Sequence, residues 1–347
     1  MQGINYGLIF KWLKSENTSS LESKRLGKLT RESLGLTSRE YRRLLSWGRK
    51  KTKVLERLMS SNQWNEINFS EIPSAAGLKY RNAFAEHEVT RAKYEAFAKD
   101  TKTKVNAKAL FPYQVVKKAI ELDWYDNLED TERLMINKYW DNLTDYFNGA
   151  TLNALCMVDT SGSMCGDPIN VAISLGLYCA ERAKGPFANH YISFSSCPQL
   201  IECRGVDFCD KVQRIYRTNL CENTNIKAAF DMLLHTAMNH NMKQEDLPQN
   251  IVIVSDMQVD WADRKFAGYK TTIMEDIRRQ WALAGYKMPH LIYWNVNASE
   301  NTILDTDPDV SYVSGASPSI FESILTGKTG YELMMNALNK DKYKEIK

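Results

Sequence analysis

The stretch ALCMVDTSGS occupies residues 154–163 and decides the fold of the C-terminal part of the chain. Ala154–Val158 is a continuous apolar run of strand length, which is typical of a strand that is buried on both faces. Asp159, Ser161 and Ser163 follow it at alternate positions. In a tight turn that leaves a strand, alternate side chains can converge on one point. These three side chains are therefore candidate ligands of a single metal ion.

Outward from this stretch, strand-length apolar runs alternate with amphipathic helices. We predict strands over residues 152–158, 190–194, 251–255, 291–296 and 310–313. The alternation predicts an α/β fold in which a doubly wound, mainly parallel, Rossmann-like sheet is covered by helices on both faces. Ligands of such open sheets bind at the carboxyl ends of the strands, which is where Asp159 is expected.

Two further oxygen donors are predicted at the same edge of the sheet. Thr224 stands where a helix is expected to begin, and Asp256 directly follows the apolar run at residues 251–255. Carboxylate and hydroxyl oxygens are hard ligands, which suit Mg²⁺ or Mn²⁺ better than zinc. The alternative is a serine-rich turn that only caps the next helix. We predict a site for one divalent ion, with the ligands Asp159, Ser161, Ser163, Thr224 and Asp256.

The first 148 residues have helical periodicity and a different composition. We predict helices over residues 38–59, 76–99, 113–122 and 131–147, and Asn148-Gly149 ends the pattern. Residues 1–118 hold 24 Lys and Arg against 11 Asp and Glu, a net charge of +13, while the remaining residues hold 21 against 31, a net charge of −10. The prediction is a basic all-α domain at residues 1–148 and an α/β domain at residues 149–347.

The positive charge of the helical part has two interpretations, a polyanion partner or merely solvated helical surfaces. Between residues 39 and 53 the cations surround Tyr41 and Trp47, and cations beside aromatic rings are what single-stranded RNA binding requires. We favour core packing for the two aromatic residues and RNA contact for the charges. The predicted RNA-binding residues are Arg39, Arg42, Arg43, Arg49, Lys50, Lys51 and Lys53.

The candidate metal ligands resemble those of a known family. The run from Asp159 to Ser163, with Thr224 and Asp256 at their intervals, is similar to the metal-ion-dependent adhesion site (MIDAS) of von Willebrand factor A (vWA) domains. The resemblance implies that the serines and Thr224 approach the ion, that the aspartates hold it directly or through water, and that one position stays open for an acidic group of a partner.

Other segments resemble the subfamily in which a helical TROVE-type region precedes the vWA domain, as in Ro RNA-binding proteins. In the α/β part these are residues 191–196, 255–258, 294–297 and 314–319, and in the helical part residues 55–59, 64–67, 72–74, 80 with 83–84, and 110–112. The resemblance covers nearly the whole chain. The helical region is shortened, because roughly the first half of the family's usual region has no counterpart in this sequence.

Other patterns argue against catalysis. Neither a nucleophile elbow nor a zincin motif is present, and Glu322 replaces the first glycine that a P-loop would need before Lys328.

Seven cysteines without close spacing favour a reducing compartment over disulfides or zinc. Because no apolar run approaches the roughly 20 residues of a membrane span, and no signal peptide is recognised, we expect a cytoplasmic protein.

The sequence therefore leaves two functions open. One is a metal-dependent, Ro-like protein that binds RNA through its basic helical region. The other is a protein–protein adaptor, in which the metal ion binds an Asp or Glu of a partner. A metal-dependent hydrolase is the least favoured, because no general base stands ready beside the candidate ligands.

Overall fold

The computed structural model describes residues 6–52, 54–122, 130–146, 153–217, 225–256, 270–297 and 309–316, with residues 334–335 and 338–339. The chain divides into two compact units, Met1–Asn106 and Ala107–Lys347. The predicted domain boundary at Asn148-Gly149 lies outside the described residues, and the compact units meet about 40 residues before it.

The first unit is helical, as its periodicity predicts. Its helices are α1 (Tyr6–Trp12), α2 (Leu21–Ser33), α3 (Ser38–Lys51), α4 (Leu55–Ser60), α5 (Ser74–Glu86) and α6 (Glu88–Lys99). A reciprocal capping box begins α3, in which the Glu40 amide donates to Thr37 Oγ1 at 3.3 Å and the Thr37 amide donates to Glu40 Oε2 at 2.8 Å. Tyr41 and Leu45 lie on the buried side of the same helix.

Two of the predicted helices are each two helices in the structure. The predicted helix over residues 38–59 comprises α3 and α4, and that over residues 76–99 comprises α5 and α6. At the second break His87 is extended, with ψ of 125°, and its Nδ1 accepts a hydrogen bond from the Val89 amide at 3.4 Å. The Thr90 hydroxyl donates back to the Phe84 carbonyl at 2.8 Å, which fixes the turn. Apolar periodicity continued across both breaks and concealed them.

The second unit contains two helices and then the α/β elements. They are α7 (Pro112–Glu121), α8 (Thr131–Asp141), β1 (Ala154–Val158), α9 (Asp167–Arg182), β2 (His190–Ser193), β3 (Leu200–Glu202), α10 (Phe208–Arg217), α11 (Ile226–Asn239), β4 (Asn250–Ser255), α12 (Lys270–Leu283), β5 (His290–Asn295) and β6 (Val310–Ser314). The sequence did not predict β3 or α10, since β3 has only three residues and α10 is strongly polar on one side.

The six strands form one sheet in the order β3-β2-β1-β4-β5-β6. All neighbours are parallel except β2 and β3, which are antiparallel. Leu155 and Met157 share a core with Phe230 of α11 and Trp281 of α12 on one face, and α9 packs against β1, β2 and β4 on the other. The predicted doubly wound, mainly parallel α/β fold is confirmed.

Helices α7 and α8 are part of this α/β unit. Helix α7 packs against α9 and α10, and α8 packs against α7 and α10. The Gln213 side chain of α10 donates to the carbonyls of Ala119 and Leu122 at 3.2 and 3.1 Å, and Trp140 of α8 stacks on Phe208 at 4.2 Å between ring centroids. The composition change therefore lies inside a packed unit. No helix of the described residues is long and apolar enough to cross a membrane.

Candidate metal centre and basic helical face

Asp159 lies at the point where the sheet topology reverses. Strand β1 pairs with β2 on one side and with β4 on the other, so the chain leaves its carboxyl end at a topological switch point, where open α/β sheets bind ligands. Val158 pairs with Val254, and the Asp159 amide donates to the Val254 carbonyl at 3.1 Å. The backbone of Asp159 is thus held in a fixed position, one residue beyond a buried strand.

Two hydrogen bonds orient the Asp159 carboxylate. The Ser161 amide donates to Oδ1 at 2.9 Å, and the Ser255 hydroxyl donates to Oδ2 at 2.5 Å. The side chain is buried, with 2% of its surface exposed. Burial raises the pKa of Asp159, the hydrogen bonds from Ser255 and Ser161 oppose that rise, and the charge of Asp256 adds to it, so the pKa lies above its ordinary value. A bound cation would favour the charged form.

Ser161 and Ser163 present their hydroxyls together beside this carboxylate. Their Oγ atoms are 3.1 Å apart, and Ser163 is exposed. Adjacent ligands of an octahedral Mg²⁺ at 2.0–2.1 Å would be about 3.0 Å apart. The loop therefore already has the spacing that two neighbouring ligands require.

Asp256 leaves the strand next to β1. It is buried and directly follows β4, whose register with β1 brings it to the same edge of the sheet as Asp159. The Asp256 amide donates to the sulfur of Met164 at 3.1 Å, and Met164 is fully buried in the turn that carries the serines. Two carboxylates and two hydroxyls thus come from the carboxyl ends of adjacent strands.

The fifth predicted ligand, Thr224, lies outside the described residues. The structure does describe the start of α11 that follows it. Asn225 is the N-cap of this helix, where its side chain accepts from the Ala228 amide at 3.0 Å, and its own amide donates to the Ser195 carbonyl at 3.2 Å. The start of α11 is therefore attached to the segment that follows β2, beside β1.

Three further residues shape this site and were not predicted from the sequence. Ser255 orients the aspartate, Met164 joins the serine turn to the end of β4, and Ser195 is a buried serine just beyond β2. Ser195 Oγ has no hydrogen-bond partner within the described part of the chain. The signal for Ser255 was its place as the last residue of the predicted strand. A methionine in a polar turn gave no comparable signal.

The donor set fits a hard divalent cation. All four described candidate ligands offer oxygen, which Mg²⁺ and Mn²⁺ prefer. In the described ranges no group of three or more His, Cys, Asp or Glu could hold a metal ion. An ion at Asp159 would therefore depend on the serine hydroxyls and on water as well as on the two carboxylates.

The predicted RNA-binding residues lie mainly on the outer face of α3. Tyr41, Leu45 and Gly48 are its buried side. The exposed cations of this helix, which we call the α3 basic face, are Arg39, Arg42, Arg43, Lys50 and Lys51.

Arg49 also has a structural task. Its guanidinium donates to the carbonyls of Phe10 and Leu13 at 3.1 and 2.9 Å, and so caps the end of α1. Lys53 lies outside the described residues. The expectation for the aromatic residues is half correct. Tyr41 is buried, and its hydroxyl donates to the Lys14 carbonyl at 2.8 Å. Trp47 is 60% exposed and makes an edge contact with the ring of Phe10. A helix with a narrow buried stripe cannot bury both.

Two family models match the chain, and each is described as a domain of unknown function. The DUF7788 model matches residues 153–346, which is more than half of the chain, and the DUF2828 model matches residues 9–150. The chain belongs to the DUF7788 family. The DUF7788 match contains the four described candidate ligands, and the two matches meet close to the predicted boundary at residues 148 and 149.

The DUF7788 chain is also similar to individual proteins. Uncharacterized protein L728 of Acanthamoeba polyphaga mimivirus is 30% identical over 339 residues, which are 92% of this chain and 58% of that protein. The chain thus spans less than two thirds of this relative. The crystal structure of the Deinococcus radiodurans RO (RSR) protein matches with a TM-score of 0.45 and 15% identity, covering 74% of this chain and 54% of that one. A likeness at that level does not itself support a shared function.

Proposed function

We propose that this protein is a Ro-like RNA-binding protein that acts by binding and not by catalysis. Single-stranded RNA would bind to the α3 basic face, and the α/β unit would carry one Mg²⁺ or Mn²⁺ ion at Asp159. The observation that carries the RNA part is the set of five exposed cations on one helix. The sequence resemblance to TROVE and vWA proteins is an independent support.

The spacing of the cations makes them act as one surface. Arg39, Arg42, Arg43 and Lys50 recur at intervals of three, four and seven residues, which places them on one side of a helix. Within the described residues, no carboxylate lies within ion-pair distance of Arg39, Arg43, Lys50 or Lys51. The four cations therefore have no described ion-pair partner that a phosphate would have to displace.

An exposed aromatic ring lies beside these charges. Trp47 follows Arg43 by one turn and is 60% exposed. Bases of single-stranded nucleic acids stack on such rings regardless of sequence, and each stacked base contributes about 1–3 kcal/mol. Cations together with an exposed indole favour a single strand over a duplex, whose bases are not available for stacking.

The proposed metal site would have a separate task. Asp159, Asp256, Ser161 and Ser163 would hold the ion, and the ion would supply a positive centre for an acidic group of a partner. The exposure of Ser163 supports a ligand position that is open to solvent. The same observation favours the adaptor alternative, in which a partner protein supplies an Asp or Glu and the basic face of α3 has no ligand.

Fluorescence anisotropy with a labelled single-stranded RNA tests the RNA part. Wild type should bind with a log–log salt slope of about −0.7 for each phosphate contacted. Arg39, Arg43, Lys50 and Lys51 changed together to Gln should weaken binding to every sequence and make the slope shallower by about two to three. The matched control changes four exposed cations of the α/β unit to Gln, namely Lys184, Arg204, Lys243 and Lys287.

The outcomes separate the two functions. Equal loss in both quadruple variants would mean that only net charge matters and that the α3 basic face is not the site. No affinity of wild type for any RNA, together with Mn²⁺-dependent capture of an acidic peptide, would support the adaptor function instead.

A further inference from the structure

The helical unit contains a pocket of about 550 Å³ between the end of α1 and helices α3 and α4. Among the described lining residues four are cations and one, Glu56, is a carboxylate. The cations are Lys11, Arg42, Arg49 and Arg57. Pockets of roughly 300–1,000 Å³ commonly hold small ligands, so this one has room for a phosphate group and part of a nucleoside.

The carboxylate in this pocket is already neutralised. Lys11 Nζ lies 2.9 Å from Glu56 Oε1, and the Tyr80 hydroxyl approaches the same oxygen at 3.5 Å. Burial raises the pKa of Glu56, but the hydrogen bond from Lys11 and further contacts lower it more, so the pKa lies below its ordinary value. Glu56 is therefore ionised at neutral pH, and the charge of Lys11 offsets its charge.

Arg49 keeps its charge while being held in place. Its two hydrogen bonds go to the neutral carbonyls of Phe10 and Leu13, which orient the guanidinium without cancelling its charge. Preorganised donors lose less conformational entropy when a ligand binds.

Arg42 and Arg57 approach from different helices. Arg42 belongs to α3, where its Nε donates to the Ser38 carbonyl at 3.2 Å, and Arg57 belongs to α4. In the described residues the Arg57 guanidinium has no hydrogen-bond or ion-pair partner. With the Lys11 and Glu56 pair cancelled, the three arginines leave a net charge of +3 among the described lining residues, and a cleft lined by one sign of charge raises the local concentration of anions.

We propose that this pocket binds a phosphate monoester, and that its physiological form is the terminal phosphate of the RNA strand that contacts the α3 basic face. A monoester has two negative charges near neutral pH and a phosphodiester has one, so three arginines favour a strand end over the strand interior. Arg42 belongs to both the pocket and the basic face, which connects the two. The identity of the ligand as an RNA end rests on the proposed RNA function. The binding of a phosphate monoester rests on the charge of the pocket alone.

The test uses the full chain and four probes. They are one RNA oligonucleotide with a 5′-phosphate, with a 3′-phosphate or with both ends as hydroxyls, and adenosine 5′-monophosphate. Wild type should bind at least one phosphorylated oligonucleotide about tenfold more tightly than the hydroxyl form, the factor given by one charge-assisted hydrogen bond. This preference should fall below pH 6, where the monoester loses its second charge.

Two variants identify the pocket as the cause. Arg57→Gln should reduce the phosphate preference to about one and leave the affinity for the hydroxyl form nearly unchanged, because Arg57 is not on the basic face. The matched control Arg39→Gln lies on that face but does not line the pocket, so it should weaken all three oligonucleotides equally. Circular dichroism shows whether each variant is folded.

Each outcome decides one proposal. Equal affinity of wild type for all three oligonucleotides overturns the pocket and leaves the RNA function standing. No binding of any oligonucleotide overturns the RNA function; adenosine monophosphate binding that Arg57→Gln abolishes would then support the pocket as a free-nucleotide site. If neither the oligonucleotides nor the nucleotide bind, both proposals are overturned.

Discussion

The guanidinium of Arg133 donates to both carboxylate oxygens of Asp207, at 2.8 Å each. Arg133 belongs to α8 and is buried, and Asp207 directly precedes α10. Asn137 and the Asp210 amide donate to the same carboxylate, both at 2.8 Å. One aspartate thus fastens a helix from the part of the chain that was predicted to be a separate helical domain onto the α/β unit.

We predict that Asp207→Asn lowers the free energy of unfolding by roughly 3 kcal/mol at pH 7, because it leaves a buried guanidinium without its charge partner. Burial raises the pKa of Asp207, but the hydrogen bonds from Arg133, Asp210 and Asn137 outweigh it, and the pKa lies below its ordinary value. The contribution is therefore present above about pH 4 and is lost as the pH falls through the folded-state pKa. Urea unfolding between pH 3 and 7 measures it. A difference from wild type that stays constant over this range contradicts the assignment.

We predict that the fragment of residues 107–347 folds and that the fragment of residues 149–347 does not. The shorter fragment lacks α7 and α8, so Phe208 loses its stacking partner Trp140 and the Gln213 side chain loses both acceptors. Exposed apolar surface of this kind promotes aggregation. Thermal unfolding and dye binding to exposed apolar surface compare the two fragments. Cooperative unfolding of the shorter fragment at the same temperature would place the boundary at residue 149.

We predict that Asp159→Asn reduces Mn²⁺ affinity by more than about tenfold, since it removes a charged ligand and keeps the size of the side chain. Asp167→Asn is the matched control. Asp167 is an exposed carboxylate eight residues further on that pairs with Lys117 at 3.0 Å and is not a candidate ligand. Calorimetry on the folded variants gives both affinities. Equal weakening by the two changes would indicate nonspecific attraction of the ion.

We predict that Gly176→Ala destabilises the protein by about 1 kcal/mol, although alanine favours helices. A Cβ at this position of α9 would lie 2.3 Å from Val158 Cγ2, because helix and strand approach closely there. In a Val158→Ala background the same glycine change should become neutral or stabilising. A double-mutant cycle in urea measures this coupling. A coupling free energy of zero would show that the structure relieves the clash at no cost.

The candidate metal site shows how far local sequence reasoning can reach. Asp159 and Asp256 were predicted to meet because each follows an apolar run, and parallel strands place their carboxyl ends at one edge. The structure brings both aspartates to that edge. The hydrogen bond from Ser255 and the contact of Met164 could not be predicted, because they depend on how individual side chains are oriented and not only on which strand ends meet.

The helical part shows the opposite limit. Periodicity identified which residues of α3 face inward, but it gave no signal for the separation of α3 from α4 or for the break at His87. Arg49 was grouped with the other cations of α3, since its type and spacing match theirs. Only the position of α1 reveals that this side chain caps carbonyls at residues 10 and 13.

The sequence by itself determined the α/β class, the two carboxylates at one edge of the sheet and the basic face of α3. These properties follow from the alternation of apolar and polar residues and from charge, both of which are local. Only the tertiary structure decided that α7 and α8 belong to the α/β unit, and that Arg49, Arg42 and Arg57 surround one pocket. Those relationships depend on which surfaces pack together, and packing joins residues whose separation along the chain has no fixed period.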